Sequence, residues 1–129
     1  MCSGILIIED NEQNMYLLTF LLEKNGYTVM QASDGLQGIK AAVQYKPAVI
    51  LLDIQLPGMS GYEVAERLKK MNEVARIPII AVTSYAMPGD REKAEKAGCI
   101  GYIEKPIDPA TFIADFQKFL PKNFLDKGC

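Results

Sequence analysis

Histidine is absent from this chain of 129 residues, and the absence restricts its possible chemistry. Without histidine the protein lacks the commonest general base, the commonest metal ligand and any site for phosphohistidine. Histidine therefore cannot receive a phosphoryl group on this chain, and we expect a carboxylate to receive one if it arrives.

Cysteine is scarce and poorly placed for cross-links or metal binding. The three cysteines, Cys2, Cys99 and Cys129, are widely spaced and form no C-x-x-C pair. This pattern indicates neither a disulfide framework nor a zinc site, so we expect a cytoplasmic protein. Its apolar runs are far shorter than the ~20 residues needed to cross a bilayer. The N-terminus also lacks the order of a signal peptide, and we expect no membrane association.

Charge and length favour one ordinary soluble domain. The net charge is −2 and the isoelectric point is about 5.2, so there is no basic surface for direct nucleic-acid binding. We expect a single domain over residues 1–129, with residues 121–129 as a frayed tail. Phe124 and Leu125 in that tail would permit a weak dimer of an otherwise monomeric protein.

Short apolar runs alternate with helical segments from end to end. The runs lie at residues 5–8, 27–32, 49–52, 79–82 and 100–103. Unbroken aliphatic runs are typical of strands buried on both faces of a parallel sheet, whereas the second run contains polar residues and the fifth contains Gly101. We therefore predict an α/β fold, the flavodoxin-like doubly wound (βα)5 type. Its five strands would have the order 2-1-3-4-5, with the second and fifth at the edges.

The helices differ in how well the sequence specifies them. Asp34 predicts the start of the second helix, with Leu36, Ile39 and Val43 facing inward. The fifth is predicted to begin at Asp108 and Pro109. Its apolar face is the strongest in the chain, formed by Phe112, Ile113, Phe116, Phe119 and Leu120. The fourth, near residues 90–97, offers only Ala94 and Ala97 for burial and should be the least firmly held.

Three acidic residues follow two of the predicted central strands. Glu9 and Asp10 come after the first strand, and Asp53 comes after the third. The carboxyl ends of the strands beside the switch point form the ligand crevice of such a sheet, so these side chains should converge there. Carboxylates that converge raise one another's pKa unless a cation compensates, and an all-oxygen cluster suits Mg²⁺. Each acid could instead be a turn or cap residue, a role open to Asp10 or Asn11.

The same edge of the sheet offers a hydroxyl and an ammonium group. Thr83 ends the fourth run, and Lys105 follows the fifth. Together with a metal they could neutralise the three equatorial oxygens of a phosphoryl group, with Asp53 as the nucleophile. Thr83 could also be a plain strand residue, and Lys105 a solvated loop lysine.

Four motifs in this order resemble the signatures of response-regulator receiver domains. They are ED at 9–10, LDIQLPGMSG at 52–61, VTS at 82–84 and KP at 105–106. The resemblance implies that Asp53 is phosphorylated and that Thr83 and Lys105 bind the phosphoryl group. It assigns Mg²⁺ to four ligands: Glu9, Asp10, Asp53 and the backbone carbonyl of Gln55. It also implies a cis bond before Pro106, and a rotating aromatic switch at Tyr102, which could otherwise be an ordinary edge-strand aromatic.

Two positions qualify the resemblance. The family often has two aspartates where this chain has Glu9 and Asp10, which leaves open whether Glu9 contacts the metal directly or through water. Gln55 and Tyr85 occupy positions that influence the lifetime of the phosphoryl group in this family. The site therefore resembles that of the family without matching it at every position.

The function that the resemblance implies is a signalling switch rather than an enzyme. A histidine kinase or a phosphotransfer protein would donate the phosphoryl group, and binding to a downstream protein would be the output of a stand-alone receiver. An unphosphorylated adaptor remains an alternative. An aspartyl-nucleophile phosphatase normally has a second aspartate where Gln55 stands, and a flavin or nucleotide module would not place Glu9 and Asp10 against phosphate.

Overall fold

A parallel sheet lies at the centre of the computed structural model, which describes residues 4–84 and 88–120. Within those residues the strands are β1 (Gly4–Ile8), β2 (Thr28–Ala32), β3 (Val49–Asp53), β4 (Ile79–Thr83) and β5 (Gly101–Glu104). Their order is β2-β1-β3-β4-β5, and every neighbouring pair is parallel. The predicted order and both predicted edge strands are confirmed.

Helices cover both faces of the sheet. In the described part of the chain they are α1 (Glu12–Lys24), α2 (Gly35–Tyr45), α3 (Gly61–Lys69), α4 (Asp90–Lys96) and α5 (Phe112–Phe119). Every residue of β3 and β4 is buried, whereas β2 is partly exposed, as expected for central and edge strands. None of the helices in these two ranges is both long and apolar enough to span a bilayer.

The sheet separates two hydrophobic cores. On one face, side chains of α2, α3 and α4 pack against alternate strand residues such as Ile8 and Leu52. On the other face, leucines of α1 and the phenylalanines Phe112 and Phe116 of α5 pack against Ile7 and Leu51. Each fully buried large side chain contributes about 1.5–3 kcal/mol relative to exposure. The two cores hold the strand ends, and therefore the loops that follow them, in fixed positions.

The inward face of α2 differs from the prediction at Leu36, which is 59% exposed. Gly35, Gly38 and Ala42 are buried instead. A Cβ on Gly38 would lie only 2.4 Å from a methyl carbon of Ile8, so this helix approaches β1 through its small residues. The spacing of large apolar residues does not reveal this face of α2, because the residues that face the sheet most closely are small.

The predicted start of α5 is also wrong. The helix begins at Phe112, and Asp108 instead organises the turn before it by accepting the Ala110 N–H at 2.9 Å. The Asp108 carbonyl accepts the N–H groups of Thr111 and Phe112. An acid that caps a turn and one that caps a helix look alike in sequence. The predicted apolar face is confirmed, with Phe112 and Phe116 fully buried.

Within α4 itself only Ala94 is buried, and Gly89, the N-cap residue before the helix, supplies no side-chain hydrogen bond. Residues 85–87, which include Tyr85, lie outside the described residues, as do the predicted tail at 121–129, Cys2 and Cys129. Cys99 is buried as a free thiol.

Candidate functional site at the carboxyl end of the sheet

The structure brings the three acidic side chains together. Carboxylate oxygens of Glu9, Asp10 and Asp53 lie within 4.8 Å of one another, beyond the carboxyl ends of β1 and β3. Glu9 and Asp53 are each 2% exposed, whereas Asp10 is exposed. Two buried carboxylates and one at the surface therefore define a cluster that opens to solvent on the Asp10 side.

Hydrogen bonds in the loop after β1 fix Glu9 and assign the helix cap to a neighbour. The backbone N–H of Glu9 extends the pairing with β2 by donating to the Ala32 carbonyl at 3.0 Å. Asn11 caps α1 by accepting the Asn14 N–H at 2.9 Å, and its own N–H donates to Glu9 at 3.1 Å. Asp10 is thus not the cap of α1, which leaves its carboxylate at the cluster.

Lys105 places one ammonium group among these carboxylates. Its Nζ lies 3.1 Å from Glu9 Oε1 and 3.3 Å from Asp53 Oδ2. The Lys105 N–H donates to the Thr83 carbonyl at 2.7 Å, and the bond to Pro106 is cis, as the family resemblance implied. One ammonium against three carboxylates leaves two negative charges uncompensated when all three acids are ionised.

The pKa of Glu9 is raised from 4.5 to about 7, mainly by burial and then by the nearby charge of Asp53. The Asn11 N–H and Lys105 act in the opposite direction. Glu9 Oε1 is buried without a hydrogen-bond partner, because Lys105 is close enough for an ion pair but not aligned for a hydrogen bond. A buried carboxylate oxygen without a hydrogen-bond partner can bind a cation. Because the cluster consists of carboxylates alone, it fits a hard divalent cation such as Mg²⁺.

Gln55 connects the loop after β3 with the end of β4. Its backbone N–H donates to Asp53 Oδ1 at 2.9 Å, and its side-chain amide donates to the Thr83 hydroxyl. The side-chain oxygen Oε1 of Gln55 accepts the Ser84 N–H at 3.0 Å. The family resemblance implies a metal ligand at the backbone carbonyl of Gln55 and an influence of this position on the phosphoryl lifetime, but it indicates no side-chain contact. No local pattern could reveal the side-chain contacts, because their partners are 28 and 29 residues away.

Tyr102 connects Thr83 with α4. It shares a hydrogen bond with the Thr83 side chain, and burial is the main cause that raises its pKa, followed by the charges of Asp90 and Glu104. The Arg91 guanidinium of α4 lies 5.8 Å from the centre of the Tyr102 ring, within cation–π range. The predicted phosphoryl-binding hydroxyl and the predicted aromatic switch are therefore in direct contact.

This fold and this cluster are those of a known class of signalling protein, and the chain belongs to it. The family model for the response regulator receiver domain matches residues 5–117. The protein is therefore a receiver domain of two-component signalling.

Individual relatives agree with this assignment. The polar-differentiation response regulator DivK of Brucella anthropi is 43% identical over 120 residues, which cover 93% of this chain and 98% of the relative. The chemotaxis response regulator CheY4 of Vibrio cholerae shares the fold, with a TM-score of 0.87 at 24% identity over 93% of this chain and 100% of that one. The receiver domain of the Pseudomonas aeruginosa sensor histidine kinase PA1611 has a TM-score of 0.82 at 33% identity over 92% and 98% of the chains. That structure has a magnesium ion coordinated in its active site cleft.

Proposed function

We propose that Asp53 accepts a phosphoryl group from a phosphohistidine on a histidine kinase or a phosphotransfer protein. The observation that carries the proposal is the cluster of three carboxylates, two of them buried, with Lys105 3.3 Å from Asp53 Oδ2. In this step a carboxylate oxygen of Asp53 forms a bond to phosphorus while the phosphorus–nitrogen bond of the donor breaks. The bonding electron pair stays on the imidazole.

Mg²⁺ would be held by Glu9, Asp10, Asp53 and the backbone carbonyl of Gln55, and would neutralise charge on the phosphoryl oxygens. The residues of the chain contribute position and charge. The Gln55 N–H fixes Asp53 Oδ1, so the carboxylate is oriented before the donor arrives. Lys105 stands beside Oδ2, where its ammonium group can bind a phosphoryl oxygen, and the Thr83 hydroxyl would bind another.

Phosphorylation would then shift the population between two conformations. Thr83 would turn to the phosphoryl group, and Tyr102 would move into the space that Thr83 leaves. The contact of Tyr102 with Arg91 gives this movement a route to α4, a helix with a single buried residue. The readout would be the face formed by α4, β5 and α5, bound by a downstream protein, with no enzymatic product released.

Incubation with acetyl phosphate, with and without Mg²⁺, followed by intact-mass analysis tests the phosphoacceptor. We expect the native chain to gain the mass of one phosphoryl group only with Mg²⁺, and Asp53→Asn to gain none. Asp115→Asn is the matched control, because it makes the same change in the first turn of α5, outside the cluster. A donor protein that carries a phosphohistidine, used in place of acetyl phosphate, tests the proposed source of the phosphoryl group.

The same experiment separates the alternatives. An unmodified native chain would favour an adaptor that does not use phosphorylation. Rapid turnover of a small phosphoester would favour an aspartyl-nucleophile phosphatase. An undiminished mass gain on Asp53→Asn would place the phosphoryl group on another residue and refute the assignment of Asp53.

A further inference from the structure

The side chain of Gln55 contacts the predicted switch residue, and its backbone contacts the predicted phosphoacceptor. The side-chain amide donates to the Thr83 hydroxyl, and Oε1 accepts the Ser84 N–H at 3.0 Å. The two side-chain bonds orient the amide, so that its N–H group points at Thr83 Oγ1. A single residue thus connects Asp53 with the end of β4.

The register of the sheet places Thr83 and Asp53 on opposite faces. Asp53 pairs with Val82 on the neighbouring strand, and paired residues project to the same face of the sheet. The side chain of Val82 belongs to the core beneath α1 and α5. Side chains alternate along a strand, so Thr83 projects to the other face. There it lies on the side of Ala81 and Tyr102, which pack in the core beneath α2, α3 and α4. Binding a phosphoryl group on Asp53 therefore requires the Thr83 hydroxyl to turn away from its present partners.

We propose that the Gln55 side chain is a latch, a positioning residue that holds the Thr83 hydroxyl in the orientation of the unphosphorylated chain. This inference rests on the proposed phosphorylation of Asp53. A hydroxyl offers one proton and two lone pairs, and that of Thr83 is already bonded to both Gln55 and Tyr102. Rotation of Thr83 towards Asp53 breaks the bond with Gln55, so this bond biases the switch towards the unphosphorylated state.

The effect of the Gln55 latch on the equilibrium between the two conformations can be measured. One hydrogen bond contributes a net free energy that corresponds to about a two- to tenfold change in an equilibrium constant. Gln55→Met keeps the approximate length of the side chain and removes both polar groups. We expect this variant to bind beryllofluoride, a mimic of the phosphoryl group, about two- to tenfold more tightly in the presence of Mg²⁺.

A double-mutant cycle shows whether the effect passes through the hydroxyl. Affinity for beryllofluoride is measured by titration for the native chain, Gln55→Met, Thr83→Val and the double variant. The gain from Gln55→Met should vanish in the Thr83→Val background. Gln44→Met makes the same change at an exposed position of α2 and should leave affinity unchanged.

Three results would overturn the latch. The first is unchanged or weaker binding by Gln55→Met, which would mean that Gln55 does not hold Thr83 or prepares it for the phosphoryl group. The second is an equal gain in the Thr83→Val background. The third is exchange of the Gln55 side-chain amide protons as fast as those of exposed Gln13, measured by NMR on the metal-free chain. If the native chain binds no beryllofluoride and accepts no phosphoryl group, the proposed function fails with the latch, whereas native binding with an unaltered variant refutes the latch alone.

Discussion

Replacing Glu9 by glutamine should stabilise the metal-free protein at pH 8 and change its stability little at pH 5. The Glu9 side chain is 1% exposed, and it shares the single ammonium group of Lys105 with Asp53. Ionisation of both acids therefore places a charge inside the fold that Lys105 compensates only in part. Glutamine has nearly the same shape as the protonated acid and remains neutral at both pH values. The variant therefore resembles the low-pH form of the native protein at every pH.

The magnitude follows from the pKa of Glu9, which burial and the nearby charge of Asp53 raise from 4.5 to about 7. Between these values the folded state binds the proton more tightly than the unfolded state, so the free energy of unfolding falls as the pH rises. At about 1.4 kcal/mol per pH unit of difference, the full loss is about 3 kcal/mol. About 2 kcal/mol of it should appear between pH 5 and pH 8.

Urea unfolding at several pH values between 5 and 8, with a chelator present, measures this loss. Circular dichroism is the suitable signal because the chain contains no tryptophan. It also contains no histidine, so no imidazole contributes to the pH dependence in this range. Glu66→Gln, which removes the same charge from an exposed position of α3, is the matched control.

Native and Glu9→Gln stabilities should diverge by about 2 kcal/mol as the pH rises, while those of native and Glu66→Gln stay parallel. Saturating Mg²⁺ should then stabilise the native chain at pH 8 more than it stabilises Glu9→Gln, because the cation compensates the buried carboxylate. Parallel curves for native and Glu9→Gln in the chelator would refute the reasoning, since they would mean that Glu9 ionises without penalty to the fold.

Two further predictions concern packing. Gly61→Ala should destabilise the protein by about 1–3 kcal/mol in urea unfolding, because the new Cβ would lie 2.5 Å from the Asp53 carbonyl oxygen and 2.6 Å from Ile54 Cα. Helix propensity alone predicts the opposite sign, so a gain in stability would contradict the close approach. Burial raises the pKa of the Cys99 thiol to about 11, so only about one thousandth of it should be thiolate at pH 8. In a Cys2→Ser, Cys129→Ser background, alkylation should be far slower in the folded chain than in urea, and equal rates would show that Cys99 is accessible.

The sheet was predictable because the signals that specify it are local. Aliphatic runs at β1, β3 and β4 reflect burial on both faces, and the polar content of β2 reflects an edge. The cap of α2 was equally local, since Asp34 accepts the Gln37 N–H at 2.8 Å. Each of these features depends on residues that are adjacent in the chain.

The two errors have different physical origins. Leu36 was assigned to the core by helical spacing, yet Gly38 brings α2 so close to β1 that the small residues face inward. Asp108 was assigned to a helix cap, yet the chain makes another turn first. The first outcome depends on how closely α2 approaches β1, which the spacing of residues does not contain. The second is a choice between two local turns that the same acid can cap.

The candidate site divides in the same way. The identity of the carboxylates, their positions at strand ends and the absence of histidine are properties of the chain, and they define what kind of chemistry it can support. The raised pKa of Glu9 and the bond between Gln55 and Thr83 arise only when loops distant in sequence meet at one edge of the sheet. Burial and hydrogen bonding act between neighbours in space, so the behaviour of these groups follows from packing that no local pattern encodes.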